Sequence, residues 1–265
     1  MDQGPLPLPR HPRGTGDIIV VHSSDVHVDN DYTARSHAGD GTAGLAGVVA
    51  TARRLEADLI LLAGDTFECH VLPLPLLERT AELLRAAAMP IVILPGNHDP
   101  AIPEAVFHRG GIDTVENVHI LGVTHDVAVH FPHLDLEIWG RPHRDYSDME
   151  PLAEVRPRRT RWQIAMAHGH YDPAADRRVR PRASWLIDDA EIAATKADYL
   201  ALGHWNQPLR VGNGTVPAYY SGSPEYAGTV NLVRLTEQGG VVVTREPILW
   251  NHQPDAELAR TLAGE

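Results

Sequence analysis

Cysteine, lysine and long apolar runs are all scarce in this chain. The single cysteine, Cys69, has no partner for an internal disulfide, which points to a reducing compartment and a cytoplasmic location. No run of about 18 apolar residues occurs, so no transmembrane helix is expected. The opening MDQGPLPLPRHPRGTG lacks an apolar centre. Residues 1–16 therefore read as a flexible Pro/Gly-rich tail and not a signal peptide, with residues 251–265 as a second tail. Lys196 is the sole lysine among 23 basic residues, a bias that GC-rich coding explains.

What is present is ordinary for a soluble globular protein. Hydrophobic residues make up 43% and charged residues 22% of 265 positions, enough to bury a real core. The net charge of -12 argues against a protein that coats nucleic acid generally. That charge is unevenly spread. Residues 156–182 hold eight arginines, Arg177 and Arg178 among them, against Asp172 and Asp176, a local +6 in a chain that is otherwise -18. The window is a candidate surface for a substrate phosphate, with a solvated loop as an equal alternative.

Apolar runs alternate with helical patterns through the first half. DIIVVHSSD (17–25), ADLILLAGD (57–65) and MPIVILPGNHD (89–99) read as buried strands, while GLAGVVATARRLEA (44–57) and PLPLLERTAELLRAAA (73–88) space their apolar residues as helices do. This alternation predicts a parallel sheet covered on both faces. Further strands are expected within NVHILG (117–122), HDVAVHFPHLDLEIWG (125–140) and RWQIAMAHG (161–169). A helix over about 188–196 then leads into DYLALGHW (198–205). In the last third, the Asn-Gly turn of LRVGNGTVPAYYSGSPE and the Gly239-Gly240 step of NLVRLTEQGGVVVTREPIL predict antiparallel sheet. Polar strand ends are spread along the whole chain, so one domain over 17–250, with two packed sheets and helices outside, is expected.

Those strand ends carry the chemistry. The first strand stops at Asp25 and His27, the second at Gly64-Asp65, and the third at Gly96-Asn97-His98-Asp99. Later strands stop at His168, with His170 as a competitor two residues on, and at His204 and Asn206. Carboxylates, imidazoles and carboxamides at the ends of neighbouring parallel strands converge in space. Together they offer oxygen and nitrogen donors without a thiolate, a set suited to divalent Mn, Fe or Zn. Asp25-x-His27 or Gly64-Asp65 alone is weak, since turn-capping Asp is common. The Gly96–Asp99 run is strong, because packing gives no reason for three polar residues there.

Taken in order, D-x-H, G-D, G-N-H-D, H and G-H-x-H resemble the calcineurin-like metallophosphoesterase superfamily over roughly residues 17 to 226. HSSDVHV, LLAGDTFE, LPGNHD, DYLALGHW and YYSGSPE look most like its DNA-repair exonuclease (SbcD-type) branch. The resemblance implies an α/β fold, a four-layer α/β/β/α sandwich with two mixed central sheets. It implies two divalent ions, with Mn preferred and Fe or Zn as alternatives. Asp25, His27, Asp65 and the residue at 206 would hold one; Asp65, Asn97, His168 and His204 would hold the other. Asp65 would bridge and have no neutralising neighbour. His98 would face the substrate, with Asp99 orienting its ring. Hydrolysis would follow attack on phosphorus by a hydroxide between the ions, with His98 stabilising developing charge or protonating the leaving oxygen.

The sequence departs from that pattern in two places. Position 206 is Asn where the family motif has a second histidine, and a carboxamide is the weaker donor, so a lower-affinity first ion is expected. SbcD-type nucleases also continue into a DNA-contacting accessory domain, whereas this sequence ends 40 residues after Glu225. The expected activity is phosphodiester hydrolysis in nucleic acid or nucleotides, with Trp205 available to stack on a base or sugar. The alternative is a phosphomonoesterase or small-molecule phosphodiesterase. A metal-free scaffold is disfavoured, because only position 206 deviates and His98 is retained. The expected partner is a phosphate ester such as DNA or a nucleotide, with a homo-oligomer or a further protein as company and no membrane.

Overall fold

The computed structural model describes residues 16–29, 31–144, 149–173 and 185–250. Apart from Gly16, both expected tails lie outside these residues, as do Arg177 and Arg178. From the N-terminus the elements are β1 (Ile18–Ser23), α1 (Asp31–Ser36), α2 (Ala43–Arg54), β2 (Leu59–Ala63), α3 (Leu74–Ala86), β3 (Ile91–Leu94) and β4 (Val118–Ile120). They continue as β5 (Ala128–Phe131), β6 (Leu136–Gly140), β7 (Trp162–His168), β8 (His170–Tyr171), β9 (Leu186–Ile187), α4 (Asp189–Thr195) and β10 (Tyr199–Gly203). The last are β11 (Leu209–Val211), β12 (Ala218–Tyr220), α5 (Pro224–Ala227), β13 (Thr229–Leu235) and β14 (Val241–Pro247).

Two six-stranded mixed sheets result, in the orders β14-β13-β1-β2-β3-β4 and β11-β12-β10-β7-β6-β5. In the first, β1 to β4 run parallel, Val20 beside Leu59 and Ile60 beside Ile91, while β13 and β14 join antiparallel at the β1 edge. In the second, β6, β7, β10 and β12 run parallel, flanked by antiparallel β5 and β11. Every residue of β1, β2 and β3 is buried, as continuous aliphatic runs require when both sheet faces are covered.

Three apolar seams separate four layers. Leu45, Val48, Leu77 and Leu84 of α2 and α3 pack on Ile60, Leu62 and Ile91 of the first sheet. Between the sheets, Val20, Leu61 and Leu94 meet Ile138, Ile164 and Met166. Outside the second sheet, Ile187 and Ile192 cover Ala165, Leu200 and Leu202. Among the described residues, that outer layer is built from α4 and the β8–β9 pair. A capping box starts α4: Glu191 N–H donates to Asp188 Oδ1, and Asp188 N–H to Glu191 Oε2.

Two details differ from the sequence reading. HDVAVHFPHLDLEIWG folds into an antiparallel pair, because Pro132 opens a 3-10 turn and Asp135 takes φ 48° between β5 and β6. The last third is not wholly antiparallel either. β12 runs parallel to β10 on one side while β11 pairs antiparallel on the other.

Candidate metal centre

The carboxyl ends of the parallel strands meet where the two sheets face each other. Asp25 and His27 follow β1, Asp65 follows β2, and Asn97 and His98 follow β3, three adjacent strands of the first sheet. His168 closes β7 and His204 follows β10, neighbours in the second sheet, with His168 beside Gly203. Two glycines let the sheets close at this point. A Cβ on Gly203 would lie 1.8 Å from the Ala63 carbonyl oxygen, and one on Gly64 2.0 Å from His168 Nδ1. Asp25, His27, Asp65 and His204 all take left-handed backbone, with φ of 52°, 50°, 51° and 95°. Such conformations are uncommon outside glycine and cluster at functional sites.

The loops after β1 and β2 are stitched together by backbone bonds. Asp25 N–H donates to Gly64 O, His27 N–H to Asp65 O, Val28 N–H to Thr66 O and Glu68 N–H to Val28 O, all at 2.9–3.0 Å. The side chains form a connected set. Asp65 Oδ1 accepts from His98 N–H at 2.9 Å, and Oδ2 lies 3.1 Å from His168 Nε2. Asn97 Oδ1 is 3.0 Å from His168 Nε2 and 3.2 Å from His204 Nδ1. The Asp25 carboxylate accepts from His204 N–H at 3.0 and 3.1 Å. His168 is turned by its other nitrogen, Nδ1, 2.9 Å from the Ala63 carbonyl.

Burial and mutual charge set the protonation of this cluster. Burial opposes ionisation of Asp65, but the His168 imidazole and the His98 N–H hold it below the usual carboxylate range. Burial likewise opposes a charged His168, yet the Asp65 carboxylate pushes it up to about 9. Burial raises Asp25, and burial with the Asp65 charge pushes Asp99 up to about 8. His204 and His143 are pushed down to about 4, by burial first and then by His168.

The family model described as calcineurin-like phosphoesterase matches residues 18–242, most of the chain. The chain is a calcineurin-like phosphoesterase. It is 27% identical over 209 residues to the uncharacterized metallophosphoesterase YhaO of Bacillus subtilis (strain 168), covering 71% of this chain and 48% of that protein. It is 25% identical over 247 residues to a subunit of the nuclease SbcCD from the same organism, covering 77% of this chain and 61% of that one. The phosphoesterase thus spans about half to three fifths of the length of these relatives. A crystal structure of TT1561 from Thermus thermophilus shares its fold, with a TM-score of 0.55 at 14% identity, covering 86% of this chain and 98% of that one. Family membership supports metal-dependent phosphoester hydrolysis with divalent ions.

The side chains of this phosphoesterase fit such ions. Asp25, His27 and Asp65 offer ligand atoms within 4.8 Å of one another, as do Asp65, His168 and His204. The 3.0–3.2 Å steps from Asp65 through His168 and Asn97 to His204 match the spacing of about 3 Å for neighbouring ligands bonded at 2.0–2.2 Å to one ion. Among the described residues, no helix is long and apolar enough to cross a membrane.

Several expectations need adjustment. Asp65 does have a neutralising neighbour, His168, because the crowding that lets two sheets share one site also pairs them. Asp99 does not reach the His98 ring. Its two oxygens accept from Gly96 N–H at 2.7 Å and Phe67 N–H at 3.0 Å, so it braces the turn beneath the ring. The His98 Nδ1 is held instead by the Glu68 carbonyl at 2.7 Å. His168 enters the cluster, whereas His170 is exposed and lies edge-on to Trp205 at 5.8 Å. Asn206 is exposed, and its backbone carbonyl accepts from Ser223 N–H. Among the described residues, no hydrogen bond joins its carboxamide to the cluster. Trp205 stands 45% exposed at the rim.

Two residues went unassigned in the sequence. Buried His143 places Nε2 2.8 Å from the His168 carbonyl and packs its ring against both His168 and Trp185; nothing local marks it. Glu68 Oε2 lies 3.1 Å from His27 Nδ1, and Glu68, His27 and His98 form a third group of potential ligands. Its signal was available, an acid three residues after Asp65 in the same loop.

Proposed function

We propose that this phosphoesterase hydrolyses phosphodiester bonds in nucleic acid or nucleotides at a site holding two divalent ions, Mn by preference. The observation that carries the reading is Asp65, which belongs to both the Asp25–His27 group and the His168–His204 group of potential ligands. Asp25, His27, Asp65 and, at the rim, Asn206 serve one ion; Asp65, Asn97, His168 and His204 serve the other. When bound, the ions polarise the phosphoryl oxygens and make water nucleophilic near neutral pH.

His98 supplies the proton chemistry. A carbonyl only accepts, so the contact with Glu68 O fixes the proton on Nδ1 and leaves Nε2 to meet the substrate. From there His98 stabilises the charge developing on the phosphoryl group or protonates the departing oxygen. Asp99 contributes by holding the Gly96–Asp99 turn in place. Diesters are favoured by the similarity to a nuclease subunit, by exposed Trp205 as a stacking surface, and by Arg177 and Arg178 as phosphate contacts. Residues 17–250 act as one unit, and the single cysteine fits a reducing cytoplasm.

The test is Mn-dependent hydrolysis of bis-p-nitrophenyl phosphate by the wild type and by His98→Ala, followed by a panel of single- and double-stranded DNA, cyclic nucleotides and phosphomonoesters. The wild type should bind two equivalents of Mn and cleave diesters. Turnover of monoesters alone would replace the substrate assignment, and a chain that neither binds metal nor turns over would be a scaffold.

A further inference from the structure

Building on the proposed two-ion site, we infer that Glu68 is the positioning residue that fixes the imidazoles of both His27 and His98. Its place is set by the backbone: Glu68 N–H donates to Val28 O at 3.0 Å, which lays the loop after β2 alongside the loop that carries His27. From there it offers one acceptor to each ring. The carboxylate Oε2 lies at ion-pair distance, 3.1 Å, from His27 Nδ1, a buried nitrogen that makes no hydrogen bond among the described residues. The backbone carbonyl is 2.7 Å from His98 Nδ1. The two rings meet edge-on at 4.8 Å, so neither turns without displacing the other.

Both contacts act on tautomers. The carbonyl accepts and cannot donate, so His98 keeps its proton on Nδ1, and the acceptor-only carboxylate facing His27 Nδ1 favours the same tautomer there. For His27 this frees the Nε2 lone pair for the group it forms with Asp25 and Asp65. A carboxylate behind a ligating imidazole holds the ring's orientation, and removing such a partner typically weakens metal binding 10- to 100-fold. Glu68 cannot itself replace the weak donor at 206, because its oxygen joins a ligand group with His27 and His98 but not one with Asp25 and Asp65.

The side chain and the carbonyl of Glu68 are separable by mutation. Glu68→Ala deletes the contact to His27 and leaves the carbonyl that holds His98. Calorimetric titration with Mn should show one of two ions bound 10- to 100-fold more weakly, the other unchanged, and the metal-free melting temperature as in wild type. Glu68→Gln keeps an acceptor in place but loses the charge and adds a donor, so it should restore only part of the affinity. Two normal ions in Glu68→Ala would overturn the role of Glu68 and leave the two-ion site standing. Loss of both ions with a lowered melting temperature would also overturn it, in favour of a plain structural part. A wild type that binds no divalent ion would overturn both proposals together.

Discussion

The two sheets contribute unlike chemistry to one site. The first sends Asp25, His27, Asp65, Asn97 and His98 from the ends of three adjacent strands, and it supplies every carboxylate of the candidate ligand set. The second sends imidazoles, His168 and His204, from two. Elsewhere the seam between the sheets is mainly apolar, crossed by a buried polar contact where His22 Nδ1 lies 2.9 Å from Tyr199 OH. At the site it becomes specific: Asp65 and Asn97 of one sheet meet the imidazoles of the other. The lesson is that opposite charge and near-absent side chains, at Gly64 and Gly203, register the two sheets more tightly than apolar packing does.

Breaking that registration should have the largest effect. Gly203→Ala places a methyl 1.8 Å from the Ala63 carbonyl, and we expect a loss of about 3 kcal/mol or more in urea unfolding together with loss of bound metal. A variant as stable as wild type would show that the sheets do not need this approach. Next, His98→Ala removes a first-sheet imidazole that sits outside the two-ion ligand set. Turnover should fall 10²- to 10⁴-fold with metal stoichiometry unchanged, measured by steady-state kinetics and elemental analysis.

The two second-sheet histidines pull stability in opposite directions. In the metal-chelated chain His168 has its pKa raised to about 9, so its pairing with Asp65 stabilises fully below pH 6.5 and is lost as pH rises towards 9. His204 is lowered to about 4, so the unfolded chain gains a proton first and stability is lost as pH falls from 6.5 to 4. These two alone would place a maximum near pH 6.5; Asp99, raised to about 8, moves it lower because its contribution is lost as pH rises from about 4 to 8, and His143, lowered to about 4, deepens the acid loss. Urea midpoints in EDTA should show both limbs. His168→Gln should shrink the alkaline limb and His204→Gln the acid one; unchanged limbs would refute the assignments. The smallest effect belongs to Asn206→His, which should tighten one Mn site severalfold by titration, an imidazole being the better donor.

Much of this was legible in the sequence because it is local. IIVVHS, LILLA and IVIL announce buried strands, and polar residues directly after such runs announce a site. What stayed hidden depends on partners distant in the chain. Asp99 adjoins His98, yet its oxygens belong to Gly96 and Phe67 N–H groups, which only the folded turn reveals. Glu68 faces His27 across 41 positions, and His143 reaches the His168 backbone across 25, through packing that no spacing encodes. The hairpin inside HDVAVHFPHLDLEIWG was written in Pro132, but two short strands and one long one share the same alternation.

The left-handed backbone at Asp25, His27, Asp65 and His204 has an evolutionary corollary. Each such residue costs on the order of 1–2 kcal/mol that glycine would not incur and asparagine would incur less. A population of this gene selected only for folding should therefore drift at these four codons first, towards Gly and Asn, and become sturdier as it loses its chemistry. Decay of the site would be downhill in stability, so the four residues persist only while something rewards what they do.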